Sequence, residues 1–64
     1  MKMAYNQINK QYDQHEAAYR YLEDSFGHHV PYMFPDLIPH LIRCLDVGAS
    51  ETQFKRDAKT MYNI

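Results

Sequence analysis

Cysteine is nearly absent from this chain: Cys44 is the only one in 64 residues. An intrachain disulfide is therefore excluded, and with it the staple that many small secreted domains use to reinforce a thin core. Tryptophan is missing, and glycine occurs only at Gly27 and Gly48. So little glycine leaves no Gly-rich loop to cradle a phosphate, and no serine sits in a nucleophile-elbow context. No apolar run approaches the roughly 20 residues needed to span a bilayer. The opening MKMAYNQINK carries no apolar stretch of signal-peptide length after its lysine. With an unpaired thiol added, the expected compartment is the cytoplasm. A surplus of one charge sign is lacking too, since Lys and Arg number 7 against 8 Asp and Glu, for a net charge of −1. No long-range field draws the protein to nucleic acid or to a membrane, so nucleic-acid contact would have to rest on a local patch.

The length leaves room for one domain, residues 1–64, and a chain this short buries only about 60% of the surface its unfolded form exposes. A single core of that size supplies about 3–5 kcal/mol. A water-excluded catalytic pocket is hard to build from so little interior, and no shielded carboxylate pair or nucleophile–base arrangement is visible. The expectation is no enzyme, no catalytic residue and no cofactor.

What the chain does contain is helical periodicity. Tyr5, Ile8, Tyr12, His15, Tyr19, Leu22 and Phe26 recur at spacings of three and four, which predicts one long amphipathic helix of about six turns. Asn6 is its candidate N-cap, and Gly27 stands where a C-terminal residue of positive φ is wanted. Three of the seven seam residues are tyrosine, whose hydroxyl needs water or a partner. That seam is expected to be half-buried, or shared between molecules.

The second helix is PDLIPHLIRCLDVG, with Leu37, Ile38, Leu41, Ile42 and Leu45 on its apolar face. Pro39 is tolerable in a first turn, where its missing N–H has no partner to lose, so the start lies between Asp36 and Pro39 and Gly48 ends the element. A third helix is announced by S-E-T-Q at 50–53, a capping box. Phe54, Ala58 and Met61 form its narrow apolar stripe, and fraying is expected near Tyr62. Between the first two helices, Pro31 and Pro35 are expected to hold Val30 and Phe34 extended. The fold class that follows is all-α: a compact domain of three helices, the first long, the second forming the core, the third short and capped.

Three functional readings compete. For metal, His40 and Cys44 lie four apart on one helix face, with His28 and His29 at the preceding corner, but no C-x-x-C knuckle accompanies them. A small buried Cys beside an apolar stripe is the commoner meaning, and no metal site is expected. For DNA, the second and third helices with Val47-Gly48-Ala49 between them have the outline of a helix-turn-helix. That outline directs Ser50, Glu51, Thr52, Lys55 and Arg56 toward a major groove and Lys59 to phosphate. Arg43 and Asp57 stand where the motif wants apolar residues, and roughly three or four phosphate contacts per monomer give weak, strongly salt-sensitive binding unless the protein dimerises.

For protein binding, six tyrosines, three phenylalanines and four methionines exceed what a 64-residue core can hide, and Tyr, Phe and Met are enriched at interfaces. The favoured expectation is a small regulatory or inhibitory module that binds another protein, with self-association into a homodimer as a further possibility. Its candidate contact residues are Tyr5, Tyr12, Tyr19, Tyr32, Met33 and Phe34. Thr52, Lys55, Arg56 and Lys59 are the candidates for DNA.

Overall fold

The computed structural model of the protein describes residues 4–10 and 13–64. All of its regular structure is helical: a 3-10 helix over Tyr5–Lys10, then α1 (Gln14–Phe26), α2 (Val30–Met33), α3 (Leu37–Asp46) and α4 (Glu51–Tyr62). The all-α expectation holds, with five segments where three were expected.

The first expected helix is divided. A new α-helix begins at Asp13, whose carboxylate Oδ1 accepts the backbone N–H of Glu16 at 3.1 Å. D-Q-H-E at 13–16 is itself a capping signature, Asp followed three residues later by Glu. The expected cap Asn6 instead lies inside the 3-10 turn. Dividing the element also changes its phase, because a 3-10 turn takes 3.0 residues and an α turn 3.6. The buried side of α1 is Ala17, Ala18, Tyr21 and Leu22, roughly a quarter turn from the expected stripe at 100° per residue. His15 is exposed and Tyr19 half-buried. Two alanines on this face let α1 approach α3 closely, and these two helices make the most extensive contact in the fold.

α1 stops at Gly27, with φ +126° and ψ 153°, where its N–H still reaches Glu23 O at 3.1 Å. The connector then departs from expectation. Val30 is helical rather than extended, because α2 forms with Pro31 in its first turn, where a proline loses no hydrogen bond. Val30 and Pro31 are both buried. Phe34, at φ −127° and ψ 68°, ends α2 ahead of Pro35; it leaves the helical region but stops short of the extended conformation expected of it.

α3 starts at Leu37 and carries Pro39 in its first turn, and its C-terminus closes as a Schellman motif. Gly48 has φ +80°, its N–H donates to Leu45 O at 3.2 Å, and the Ala49 N–H donates to Cys44 O at 2.8 Å. Ser50 then caps α4, its Oγ accepting the Gln53 N–H at 3.2 Å, as the S-E-T-Q signature predicts. The expected fraying at Tyr62 is countered by Asn63, a left-handed C-cap whose N–H reaches Lys59 O at 2.9 Å.

One cluster joins these elements. Ile8, Leu22, Val30, Leu37, Leu41, Phe54 and Ala58 are all at most 1% exposed, with Tyr21 at 1% among them. Phe54 stands at the centre of a ring system: its centroid lies 6.3 Å from Tyr5, 6.3 Å from Tyr21, 6.2 Å from Phe26 and 5.7 Å from His40. Two phenols tie the ends of this system to the α3–α4 turn. Tyr5 donates its O–H to Ala49 O at 2.9 Å, and Tyr21 donates to the Glu51 carboxylate at 2.5 Å. Among the described residues no buried side-chain N or O atom lacks a partner, which is how a small aromatic core containing hydroxyls avoids the cost of unmet polar groups.

Candidate functional site

Among the described residues, the large apolar side chains left exposed are Tyr32 at 78%, Met33 at 61%, Val47 at 75% and Met61 at 60%. Single exposed apolar residues are ordinary; a grouped set is informative. Three of the four flank one contact along the chain. Phe34, at the end of α2, packs edge-on against Tyr62, in the last turn of α4, at a centroid distance of 5.5 Å. That pair draws the two helix ends together, with Tyr32 and Met33 immediately before Phe34 and Met61 immediately before Tyr62. The platform is held from below: Val30 and Pro31 are buried and Leu37 and Ile38 follow directly in the core. α2 thus presents Tyr32 and Met33 from a single helical turn whose other two residues are buried.

Two other expected contact residues are drawn against the core. Tyr5 is half-buried in the ring system, and its hydroxyl is engaged by Ala49. Burial chiefly, and then the neighbouring Cys44 and Glu51, push its phenol up from the ordinary value. Tyr19 is half-buried against the core, and Tyr12 lies outside the described residues. Met61 and Tyr62 were not expected at a surface site. Met61 continues the three–four spacing of Phe54 and Ala58, so the sequence pattern placed it inside. The packed face instead runs on by fours through Phe54, Ala58 and Tyr62, leaving Met61 outside.

A second surface feature lies on α4. Thr52, Lys55, Arg56 and Lys59 are all exposed, and their spacing of i, i+3, i+4 and i+7 puts them on one helical face. Lys55 Nζ is 3.9 Å from Glu51 Oε2, whereas among the described residues no carboxylate comes within 4.0 Å of Arg56 or Lys59. Two other residues of the helix-turn-helix outline are already engaged. The Ser50 hydroxyl caps α4, and the Glu51 carboxylate accepts from Tyr21.

The His40–Cys44 pair has its own account. Their Nε2 and Sγ are 3.7 Å apart, Cys44 is buried, and the imidazole lies against Phe54. Burial first, and Asp57 second, raise the Cys44 thiol above its ordinary value, with Arg43 pulling the other way. A thiol held protonated is a poor nucleophile and a poor ligand. His28 pairs with Glu23 across the end of α1, and His29 leads into α2. Among the described residues no three His, Cys, Asp or Glu side chains come together as a metal site, and no helix is long and apolar enough to cross a membrane.

Neither family models, curated proteins nor solved structures match the chain.

Proposed function

We propose that the protein acts by binding another protein, as a regulatory or inhibitory module without chemistry of its own, through the corner where α2 meets α4. The observation that supports this reading is the pairing of exposed apolar side chains with a rigid platform. Tyr32 and Met33 stand 78% and 61% exposed on a helix whose other residues, Val30 and Pro31, are core. Fully burying a side chain of this size contributes about 1.5–3 kcal/mol. With between 60% and 78% of each exposed, three such groups contribute about 3–6 kcal/mol gross, before the costs of association, a large part of the roughly 8 kcal/mol of a micromolar complex. Preorganisation keeps those costs low, since α2 need not order on binding.

The test is site-specific photocrosslinking in host cells, with a photoreactive residue in place of Tyr32 and, as control, in place of exposed Lys10. A discrete protein adduct from position 32 alone, lost when Met33→Ser and Met61→Ser are combined, is the expected result. Equal labelling from both positions, or adducts indifferent to the methionines, would remove the corner from the interface.

A DNA-binding reading is second, and it is favoured by the exposed one-face arrangement of Thr52, Lys55, Arg56 and Lys59. Three cations imply a salt slope near −2.7, about 0.9 per phosphate neutralised, and hence weak binding. Fluorescence anisotropy on duplex DNA at low salt decides it. Binding abolished by Lys55→Glu with Arg56→Glu would favour the DNA reading, and unchanged anisotropy would end it.

A further inference from the structure

We infer that the partner segment this corner accepts is acidic as well as apolar: a short amphipathic stretch whose apolar side chains cover the Phe34–Tyr62 pair while its carboxylates meet Lys55 and Lys59. The inference rests on the protein-binding reading and adds the chemistry of the partner.

Its ground is the way α4 joins the two surface features. Tyr62 follows Lys59 by three residues and Lys55 by seven, so both lysines run along the same side of the helix as the ring that anchors the corner. Arg56, one position further round, widens the cationic border. Lys59 and Arg56 have no carboxylate within 4.0 Å among the described residues, and Lys55 is held only loosely by Glu51 at 3.9 Å. Their charge is therefore available to a ligand, not spent inside the fold. On the other side of the corner the nearest residue along the chain with a charge is Asp36, two positions after Phe34 and exposed. The border is thus cationic along α4 and anionic at the α2–α3 bend. A ligand that fits both signs lays its acidic side chains along α4 and keeps them away from Asp36. Among the described residues the large exposed apolar side chains beside this corner are three, Tyr32, Met33 and Met61. That is too little for the roughly 800 Å² that each partner of a stable globular interface buries, and it suits a linear segment better than a second copy of the chain.

The probe is a display library of random sixteen-residue peptides, selected on the full immobilised chain. Enriched peptides are then synthesised and titrated by fluorescence anisotropy at low and high salt. Expected are peptides that combine large apolar residues with a net negative charge and bind more weakly as salt rises. Lys55→Glu with Lys59→Glu should lower their affinity about tenfold, as expected for two partly exposed charge pairs, and a Glu→Lys peptide should recover it on that variant. Met33→Ser with Met61→Ser should abolish binding. All four positions are exposed, so circular dichroism should report the variants as folded. Enrichment of neutral or basic peptides, indifference to the lysine reversal, or no enrichment at all overturns the acidic segment. The protein-binding reading then still stands if position 32 crosslinks a partner, and falls with it if position 32 does not. A crosslinked adduct of twice the chain's mass would assign the corner to self-association and would likewise overturn the inference.

Discussion

Replacing Phe54 probes the whole fold at one position, because the ring is 0% exposed and lies within 6.3 Å, centroid to centroid, of Tyr5, Tyr21, Phe26 and His40. It is also the residue by which α4 enters the core. Truncating a buried phenylalanine to alanine costs about 3–5 kcal/mol through lost transfer energy and the cavity left behind. A chain of this length has about 3–10 kcal/mol of total stability, and a small single core supplies about 3–5. The loss therefore equals most of what is available, and Phe54→Ala should be largely unfolded in buffer at 25 °C. Phe54→Leu keeps most of the aliphatic volume and forfeits the ring pairs, at about 1–2 kcal/mol. With a urea dependence of about 1 kcal/mol per molar for a domain this small, its midpoint should fall by about 1–2 M. The assay is urea titration followed by far-UV and near-UV circular dichroism, with Met61→Ser as a surface control expected to stay within about 0.5 kcal/mol of the parent. A Phe54→Ala chain that still unfolds cooperatively, with its midpoint within about 0.5 M of the parent's, would refute a core closed by α4.

Two further outcomes follow from particular bonds. Burial first, and the hydrogen bond to Glu51 second, hold the Tyr21 phenol well above its ordinary value of 10.0. A raised folded value means that the fold keeps a proton the unfolded chain releases, so the contribution is intact below about pH 10 and declines above it, by about 1.4 kcal/mol per pH unit. The Tyr5 and Cys44 shifts point the same way, the latter from 9.0, so stability should begin to decline at about pH 9. Tyr21→Phe should cost about 1–2 kcal/mol at neutral pH and flatten the decline above pH 10; parallel slopes for parent and variant would sink the assignment. Gly48→Ala meets open space at φ +80° and should cost only about 1 kcal/mol. Gly27→Ala, at φ +126° with the His29 ring 3.2 Å from the added carbon, should cost about 2–3 kcal/mol. Thermal melts reversing that order would contradict the two cap geometries.

Much of this architecture was legible in local signals. S-E-T-Q announced the cap of α4, Gly48 the end of α3, and Pro39 a first turn, because each depends on backbone groups within a few residues. The apolar face of α3 was legible for the same reason, since a continuous α-helix keeps one phase. The N-terminal pattern misled in two ways: the 3-10 segment ends before Asp13, and within α1, where His15, Tyr19, Leu22 and Phe26 keep one phase, tertiary contacts bury the face of Ala17, Ala18, Tyr21 and Leu22 instead. The D-Q-H-E signature was present and would have marked the start of α1. The connector misled in another way. Pre-proline restriction argued for extended Val30, yet burying Val30 and Pro31 under α1 outweighed a local preference that is worth little once two side chains leave water.

By itself, then, the sequence determined that these 64 residues are all-α, without an internal disulfide, nearly neutral, and richer in large amphipathic side chains than the core can absorb. Those properties follow from composition and from contacts of short range. Only the tertiary structure decided which of those side chains are spent inside and which remain. Tyr5 and Tyr21 are drawn into the ring system because partners distant in sequence, Ala49 and Glu51, satisfy their hydroxyls. Tyr32, Met33 and Met61 are left exposed beside the Phe34–Tyr62 contact that joins the ends of α2 and α4. That juxtaposition spans nearly thirty residues of chain, a separation at which periodicity and local propensity carry no information.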